Sequence, residues 1–361
     1  MPETAPPDSS LPALPARTLR RALLTWYDGA RRELPWRTPR GETPDPWRVL
    51  VSELMLQQTT VATVQGRFEP FLARFPTLAA LAEAPLEEVL HAWQGLGYYR
   101  RARALHACAR AVIERHGGRL PLTADALADL PGIGAYTAAA IAAIAGEEAV
   151  VPVDANVERV LSRVLAMEAP LPGARPKLRA SAQRLAAPER AGDFAQALME
   201  LGALVCTPRR PACLACPWQR WCAAARRGDQ ESFPRKVERA PRAVRHATAF
   251  LLERVDGAVL FRRRPLEGLL GGMIELPSTP WLEDPEAVAA AMADSAPART
   301  VWTPIPGEVR HVFTHLDLTV RLVRGTIEDG EDGMWTRPFR FSELALPTFT
   351  KKLLRHAGLR W

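Results

Sequence analysis

The sequence contains very little lysine. Of its 47 lysines and arginines only four are lysines: Lys177, Lys236, Lys351 and Lys352. No lysine precedes Lys177, so the chain before it offers no lysine amine for Schiff-base chemistry. Cysteine is also scarce, with five residues in a chain of 361. In a reducing compartment so few cysteines indicate metal binding or reactivity rather than a disulfide framework.

Long apolar runs are absent as well. The longest uncharged run, residues 130–146, is shorter than the roughly 20 residues of a membrane-spanning helix and is broken by proline and glycine. Residues 1–17 are rich in proline and alanine and lack the apolar core of a signal peptide. We therefore expect a protein of the cytoplasm that does not bind membranes, with a disordered tail over residues 1–17.

The residues that are present suit a folded, basic protein. Hydrophobic residues make up 47% of the chain and charged residues 24%, which is enough to bury a core and excludes a chain that is disordered overall. The length exceeds that of a usual single domain, so two domains are expected. The net charge of +7 favours a polyanionic partner.

The first part of the chain has a helical hydrophobic pattern. Asp45 followed by Pro46 is typical of a helix start, with the aspartate as N-cap and the proline in the first turn. Glycine or proline separates most of the later helical segments. The predicted helices cover residues 46–60, 86–94, 100–116, 123–130, 136–145, 156–167 and 194–205.

The second part of the chain has a different pattern. Residues 226–245 are charged and lack periodicity, which predicts a linker. Beyond it, Asp256-Gly257 is a hairpin turn signal, and residues 316–322 alternate apolar and polar side chains as a half-buried strand does. We therefore predict a multidomain protein with an all-α domain over residues 18–225, a linker over 226–245 and a smaller α+β domain over 246–361.

Four of the five cysteines lie close together in the sequence. Cys206, Cys213, Cys216 and Cys222 have the spacing C-x6-C-x2-C-x5-C after a predicted helix, so their thiolates can converge on one centre. Soft sulfur ligands select zinc or an iron–sulfur cluster, and the chemistry alone leaves both open. Cys108 stands alone in a predicted helix and is interpreted as a small core residue.

The cysteine spacing resembles the cluster loop of the endonuclease III and MutY glycosylases, which holds a [4Fe–4S] cluster. This resemblance implies that the four cysteines ligate such a cluster. In that family, basic side chains between the first two cysteines contact DNA. The resemblance therefore also implies DNA contacts by Arg209 and Arg210.

A glycine-rich turn, Leu130-Pro131-Gly132-Ile133-Gly134, lies between two predicted helices. Glycines permit a tight turn, and the free amides of the next helix can bind a phosphate. Alone, this pattern more often marks an ordinary turn. Followed by residues 135–137 and with the cysteine loop downstream, it resembles the helix–hairpin–helix of the same glycosylases. The resemblance implies DNA binding through the backbone at Gly132 and Gly134.

Two carboxylates occupy unusual positions. Glu53 lies in the apolar run 49–56, where a carboxyl is costly unless it stays protonated, as a general acid does. The alternative is a glutamate at the solvent edge of an amphipathic helix. Asp154 follows the apolar stretch 149–153 and precedes a predicted helix, so on its own it is most simply a helix N-cap.

Both carboxylates lie in segments that resemble MutY. Residues 52–59 match its signature, and residues 153–160 resemble the segment with the catalytic aspartate. The resemblance implies that Glu53 protonates adenine and that Asp154 stabilises the cation that develops on the sugar. It also implies that Asn156 orients the site and that Tyr136 forms a hydrogen bond beside it. Relatives that also cleave the strand have lysine where Tyr136 stands, so base removal alone is expected.

The resemblance also places residues of both domains at the oxidised guanine. Gln58 is expected to insert into the base stack, Thr59 to contact the lesion, and Tyr98 to wedge beside it. A recognition loop is expected at residues 310–315 of a MutT-like (Nudix-fold) domain, which lacks the clustered glutamates of a nucleotide hydrolase. The predicted lesion contacts are Gln57, Gln58, Thr59, Tyr98, Phe313, Thr314 and His315.

The expected function is removal of adenine from double-stranded DNA in which it is mispaired with 8-oxoguanine or guanine, by a monomeric protein. Three alternatives remain at the level of sequence. They are an endonuclease III-type glycosylase acting on oxidised pyrimidines, a catalytically silent DNA-damage binding protein, and a nucleotide-pool hydrolase.

Overall fold

The computed structural model describes residues 15–237, 241–265, 267–330, 333–344 and 346–361. These residues divide into two compact units. The first contains the described residues up to Ala84 and those between Ala104 and Val237. The second contains Pro85–Arg103 and the described residues from Pro241 to Trp361. Most of the predicted tail lies outside the described residues, but its last two residues already belong to the first helix.

The predicted helical domain, residues 18–225, included residues 85–103. In the structure the segment Pro85–Arg103 belongs to the second unit instead. The side-chain amide of Gln94 donates a hydrogen bond to the Leu344 carbonyl at 2.8 Å. The Arg103 guanidinium donates to the Gly271 carbonyl. Both contacts join residues that are far apart in the sequence, so a local hydrophobic pattern carries no information about them.

Residues 15–237 are mostly helical, and every predicted helix is found, the helix 100–116 with the predicted ends and the others with ends that differ by a few residues. Five further helices, over residues 16–30, 61–74, 78–83, 175–183 and 223–227, were not separately predicted. The helices in this part of the chain are α1 (Ala16–Ala30), α2 (Pro46–Leu56), α3 (Val61–Arg74), α4 (Leu78–Glu83), α5 (Leu86–Ala92), α6 (Arg100–His116), α7 (Ala124–Ala128), α8 (Ala135–Gly146), α9 (Ala155–Val164), α10 (Arg175–Gln183), α11 (Ala191–Leu204) and α12 (Ala223–Arg227).

Helix α2 begins as predicted and ends earlier than predicted. The Asp45 carboxylate accepts a hydrogen bond from the Trp47 amide at 2.9 Å, and Pro46 occupies the first turn. The helix ends at Leu56 because the backbone of Gln57 leaves the helical conformation with ψ 111°, and Gln58 after it has a positive φ of 56°. Thr60 then caps α3. The prediction of one helix through Thr60 is wrong, and residues 57–59 form a loop between two helices.

Helix α8 is the centre of the first unit. It is rich in alanine, and its residues from Thr137 to Ile144 are all buried. Small side chains allow close approach, and α8 packs against α2, α7 and α11. This packing brings the first turn of α8 to the middle of α2.

The second unit contains a mixed sheet. Its strands are β1 (Ala243–Arg254), β2 (Val259–Arg263), β3 (Ile274–Glu275), β4 (Thr303–Val312), β5 (Leu316–Ile327) and β6 (Met334–Thr336). The order in the sheet is β3-β2-β1-β5-β4, and β6 pairs with β2. β1 and β5 are parallel, and the other pairs are antiparallel. The helices of this part are α13 (Pro285–Ala290), α14 (Met292–Ser295) and α15 (Thr348–His356).

The strands of the second unit agree with the predicted turn and the predicted strand, but not with the predicted length of the linker. The turn at Asp256-Gly257 is confirmed: Gly257 has φ 80° and joins β1 to β2. On β5, Leu318, Val320 and Leu322 are buried, as their alternation predicts. The predicted linker 226–245 is too long, because α12 includes residues 226–227 and β1 already begins at Ala243. Among the described residues no helix has the length and apolar character needed to span a membrane.

Candidate active site

Glu53 and Tyr136 form the centre of the site in the first unit. Glu53 lies on α2, where its side chain is only 7% exposed, and Tyr136 lies in the first turn of α8. The Tyr136 hydroxyl donates a hydrogen bond to Oε2 of Glu53 at 3.0 Å and also lies 3.6 Å from the Met199 sulfur. The solvent-edge alternative for Glu53 is therefore wrong, because its carboxyl is buried between two helices.

The burial of Glu53 changes its acidity. Desolvation raises the pKa of its carboxyl to about 7, and the negative charge of Asp154 acts in the same direction. The hydrogen bond from Tyr136 and the charge of Arg37 act in the opposite direction. A carboxyl of this pKa carries a proton in a large fraction of molecules at neutral pH, so it can act as a general acid.

Asp154 combines the two interpretations that the sequence left open. It is the N-cap of α9, since its Oδ1 accepts a hydrogen bond from the Val157 amide at 2.7 Å. Its Oδ2 accepts from the side-chain amide of Asn156 at 2.8 Å. Burial raises the pKa of Asp154, and these hydrogen bonds counteract the rise. The charge of Asp154 raises the pKa of Glu53, and both carboxyls raise the pKa of Tyr136, so the three groups belong to one site.

Asn156 is itself fixed by a buried arginine. Its Oδ1 accepts a hydrogen bond from Arg159 at 2.8 Å, and the same guanidinium donates to the carbonyls of Gly202 and Cys206, both at 2.7 Å. Asn156 is thus held between Asp154 and Arg159. The sequence singled out Asn156 but not the arginine that holds it.

A second buried charge cluster near Glu53 was missed by the sequence analysis. Glu200 on α11 is 1% exposed and forms ion pairs with Arg32 and Arg37, each at 2.7 Å. Burial would raise the pKa of Glu200, but the hydrogen bonds from the two arginines outweigh it and hold the pKa at about 2. The available signal was an acidic residue within the apolar stretch 197–201, the same signal that identified Glu53.

The glycine turn has the geometry of a tight hairpin. Gly132 has φ 74°, and a Cβ atom there would lie 2.3 Å from the Cβ of Ala104, so no side chain fits. Gly134 is the N-cap of α8, and no side chain caps the first amides of that helix. A Cβ at Gly134 would meet nothing within 4 Å. Because no side chain caps these amides, they can bind a phosphate.

Three of the predicted DNA contacts share a strained backbone. Gln58, Tyr98 and Arg210 have φ of 56°, 46° and 47°, a left-handed conformation that costs free energy for residues other than glycine. Gln58 and Tyr98 are also exposed, Tyr98 to 52%. The side chain of Gln57 is turned towards α8 instead, where its amide donates to the Thr137 hydroxyl at 3.0 Å. Such strain persists where the surrounding structure enforces it, as it commonly does at functional sites.

The predicted lesion contacts belong to both units. Gln57, Gln58 and Thr59 lie in the α2–α3 loop of the first unit. Tyr98 belongs to the second unit, as does the tip of the β4–β5 hairpin at residues 313–315. At this tip Thr314 and His315 are exposed.

The four cysteines of the loop border one cavity, together with Val160 and Trp218. Among the described residues no three or more of His, Cys, Asp and Glu have the close spacing of a single-ion site. The four cysteines around one cavity match the ligand set of an iron–sulfur cluster. When bound, an iron–sulfur cluster joins the four thiolates and so fixes the loop.

A buried arginine lies beside the cysteine cavity. Arg163 is 1% exposed and donates a hydrogen bond to the sulfur of Cys206 at 3.3 Å. The same guanidinium donates to the carbonyls of Thr207 and Pro208 at 2.7 and 3.0 Å. These hydrogen bonds order the backbone that leads to Arg209 and Arg210. Cys108, by contrast, is buried alone in α6.

Comparisons with known proteins agree with this geometry. Residues 51–184 match the model of the HhH-GPD superfamily of base excision DNA repair proteins. Residues 206–222 match the iron–sulfur binding domain of endonuclease III, and residues 248–356 match the NUDIX domain. The predicted fold class and the [4Fe–4S] cofactor are thereby confirmed. The chain is a DNA N-glycosylase of the helix–hairpin–helix class that carries a second, Nudix-type domain.

Individual relatives show to which family of DNA glycosylases the chain belongs. The adenine DNA glycosylase of Homo sapiens is 37% identical over 93% of this chain and 73% of its own length. That of Mycolicibacterium smegmatis is 46% identical over 56% of this chain and 69% of its own. A solved thermostable thymine-DNA glycosylase is 30% identical, with a TM-score of 0.53 over 59% of this chain and 97% of that chain. The chain belongs to the adenine DNA glycosylase family.

Proposed function

We propose that this protein removes adenine from double-stranded DNA in which adenine is mispaired with 8-oxoguanine or guanine. The observation that carries the proposal is the buried Glu53 carboxyl, which has a pKa of about 7 and a hydrogen bond from Tyr136. Family membership supports adenine as the base removed. The proposed mechanism follows from what each of these side chains can do.

The target nucleotide must first leave the base stack, because the glycosidic bond is inaccessible inside a duplex. Glu53 then donates its proton to a ring nitrogen of adenine, which makes the base a better leaving group. The bond between the sugar and the base breaks, and its electron pair leaves with adenine. Tyr136 holds the Glu53 carboxyl in one orientation during this step.

Asp154 acts on the sugar. The departing base leaves a cation-like sugar carbon, and the Asp154 carboxylate stabilises its positive charge, as paired carboxylates do in glycoside hydrolases. Asn156 keeps the carboxylate in place by its hydrogen bond to Oδ2. Water then adds to the sugar carbon, and the proton that it releases passes to a carboxylate of the site. The products are free adenine and an abasic site in an intact strand.

Recognition of the base opposite adenine is proposed for both units. The left-handed backbone and the exposure of Gln58 and Tyr98 support a wedge role for these two side chains. Thr59, next to Gln58, is the proposed lesion contact of the first unit. The exposed residues Thr314 and His315, together with Phe313, form the proposed recognition loop of the second unit. We further propose that the protein acts as a monomer in the cytoplasm.

An excision assay tests this function. Duplexes with adenine opposite 8-oxoguanine, adenine opposite guanine, or an oxidised pyrimidine are incubated with the full chain and analysed with and without alkali. We expect adenine to be released from both mispairs, fastest opposite 8-oxoguanine, with strand breaks only after alkali. Excision of the pyrimidine with adenine left intact would contradict the proposal.

A further inference from the structure

The tip of the β4–β5 hairpin rests on side chains from distant parts of the second unit. Phe313 directly follows β4, and its amide donates to the Leu316 carbonyl at 2.7 Å, which closes the turn. Phe313 is half-buried, whereas Thr314 and His315 after it are exposed. The orientation of the two exposed residues therefore depends on what holds Phe313.

Trp281 is the stacking partner of Phe313. The two ring centres lie 5.9 Å apart with 22° between the planes, an offset-stacked arrangement. His311 meets the Phe313 ring edge-on at 4.5 Å, and Phe349 on α15 meets it edge-on at 5.9 Å. Phe349 also meets Trp281 edge-on at 5.9 Å. Phe313 is thus packed among three rings, of which only Trp281 lies nearly parallel to it.

Trp281 is in turn held by a charged pair. The Arg264 guanidinium lies 4.7 Å from the centre of the Trp281 ring. Arg264 forms an ion pair with Glu275 on β3, whose side chain is 5% exposed and which pairs with Arg262 at 2.9 Å as well. A buried carboxylate with two partners has little freedom to move, so it fixes Arg264. Contacts therefore run without a break from β3 through Arg264 and Trp281 to the hairpin tip.

We propose that Trp281 is a positioning residue for lesion discrimination. It holds Phe313 by stacking, and Phe313 holds Thr314 and His315 in the single orientation that distinguishes 8-oxoguanine from guanine. Without the indole, the hairpin tip samples several orientations and the contact with the lesion weakens. The chemistry at Glu53 is untouched, because Trp281 belongs to the other unit. This inference rests on the proposed function, since it assumes that the hairpin tip contacts the base opposite adenine.

Two variants of the full chain distinguish the effect of the stacked ring from the effect of side-chain volume. Trp281→Leu keeps apolar volume but removes the stacked ring, and Trp281→Phe keeps a ring. Single-turnover excision is measured for adenine opposite 8-oxoguanine and opposite guanine. We expect Trp281→Leu to reduce the preference for 8-oxoguanine about tenfold, or about 1.4 kcal/mol, within the range of an aromatic pair. The loss should fall on the 8-oxoguanine rate alone, and Trp281→Phe should retain most of the preference.

Trp302 offers a matched control. It directly precedes β4, whereas Phe313 directly follows it, and its ring packs edge-on against Phe250 at 5.0 Å. Trp302→Leu removes the same ring from the same unit and is expected to lower Tm without changing the preference. Equal preference in Trp281→Leu and the intact chain, or an equal loss in Trp302→Leu, overturns the role of Trp281. An intact chain without any preference overturns the proposed lesion specificity, and this inference with it.

Discussion

At the scale of single residues, the acidity of Glu53 depends on two opposing contributions. Burial removes water from the carboxyl and raises its pKa to about 7, while the Tyr136 hydroxyl stabilises the charged form. The group is useful as an acid only while it is protonated. Excision should therefore be present below the pKa of Glu53 and decline as the pH rises through about 7.

The Tyr136→Phe variant tests this balance. The variant loses the hydroxyl that stabilises the Glu53 carboxylate, so the pKa of Glu53 rises. The decline in the single-turnover rate should then shift to higher pH, and the maximal rate should fall because the carboxyl is less well oriented. The measurement is the pH profile of excision from pH 5 to about 9 (a span of about two units on either side of the value near 7).

Tyr27→Phe is the matched control for this change. Tyr27 is also buried, and within the described part of the chain its hydroxyl has no hydrogen-bond partner. Removing that hydroxyl should leave the pH profile where it is. A profile that stays in place for Tyr136→Phe, or shifts to lower pH, would contradict the assignment of the decline at high pH to Glu53.

At the scale of structural elements, the cysteine loop depends on its four thiolates. The segment 206–222 contains only two short 3-10 turns, Cys213–Ala215 and Gln219–Trp221, so backbone hydrogen bonds alone give it little stability. Bonds from the four thiolates to the cluster, together with the hydrogen bonds from Arg163, would hold the loop in place of regular secondary structure. Loss of one ligand should therefore affect both the iron content and the order of the loop.

Cys213→Ser tests the loop. We expect the variant to lose most of its iron and its visible absorbance, to bind DNA more weakly, and to expose the loop to protease. Cys108→Ala is the control, because Cys108 is buried in α6 away from the loop and should leave the iron content unchanged. Full iron content and an intact loop in Cys213→Ser would show that this cysteine is not a ligand.

The α2–α3 loop shows which structural features a local sequence pattern predicts and which it does not. The cap of α2 was predicted at Asp45, a residue type that favours this position, whereas Thr60, the cap of α3, was placed inside the predicted helix. The left-handed backbone of Gln58 was not legible, because no glycine or asparagine marks it. The sequence therefore predicted one continuous helix where the structure has two.

At the scale of the whole molecule, the sequence was most informative where a polar residue interrupts an apolar run. Glu53 was found in this way, and Glu200 could have been. The order of the helical and mixed domains followed from the change in periodicity. The assignment of residues 85–103 to the second unit and the parallel pairing of β1 with β5 depend on non-local contacts, which hydrophobic periodicity does not encode.

The Glu53→Gln variant of the full chain tests most directly whether Glu53 is the general acid. Glutamine preserves size and polarity but cannot donate the proton, so the helix should stay folded while excision of adenine opposite 8-oxoguanine slows by about a hundredfold to ten-thousandfold. Binding to the same duplex should hardly change, because phosphate contacts dominate affinity. A Glu53→Gln protein that excises adenine at the rate of the intact chain would contradict the central claim that Glu53 is the general acid.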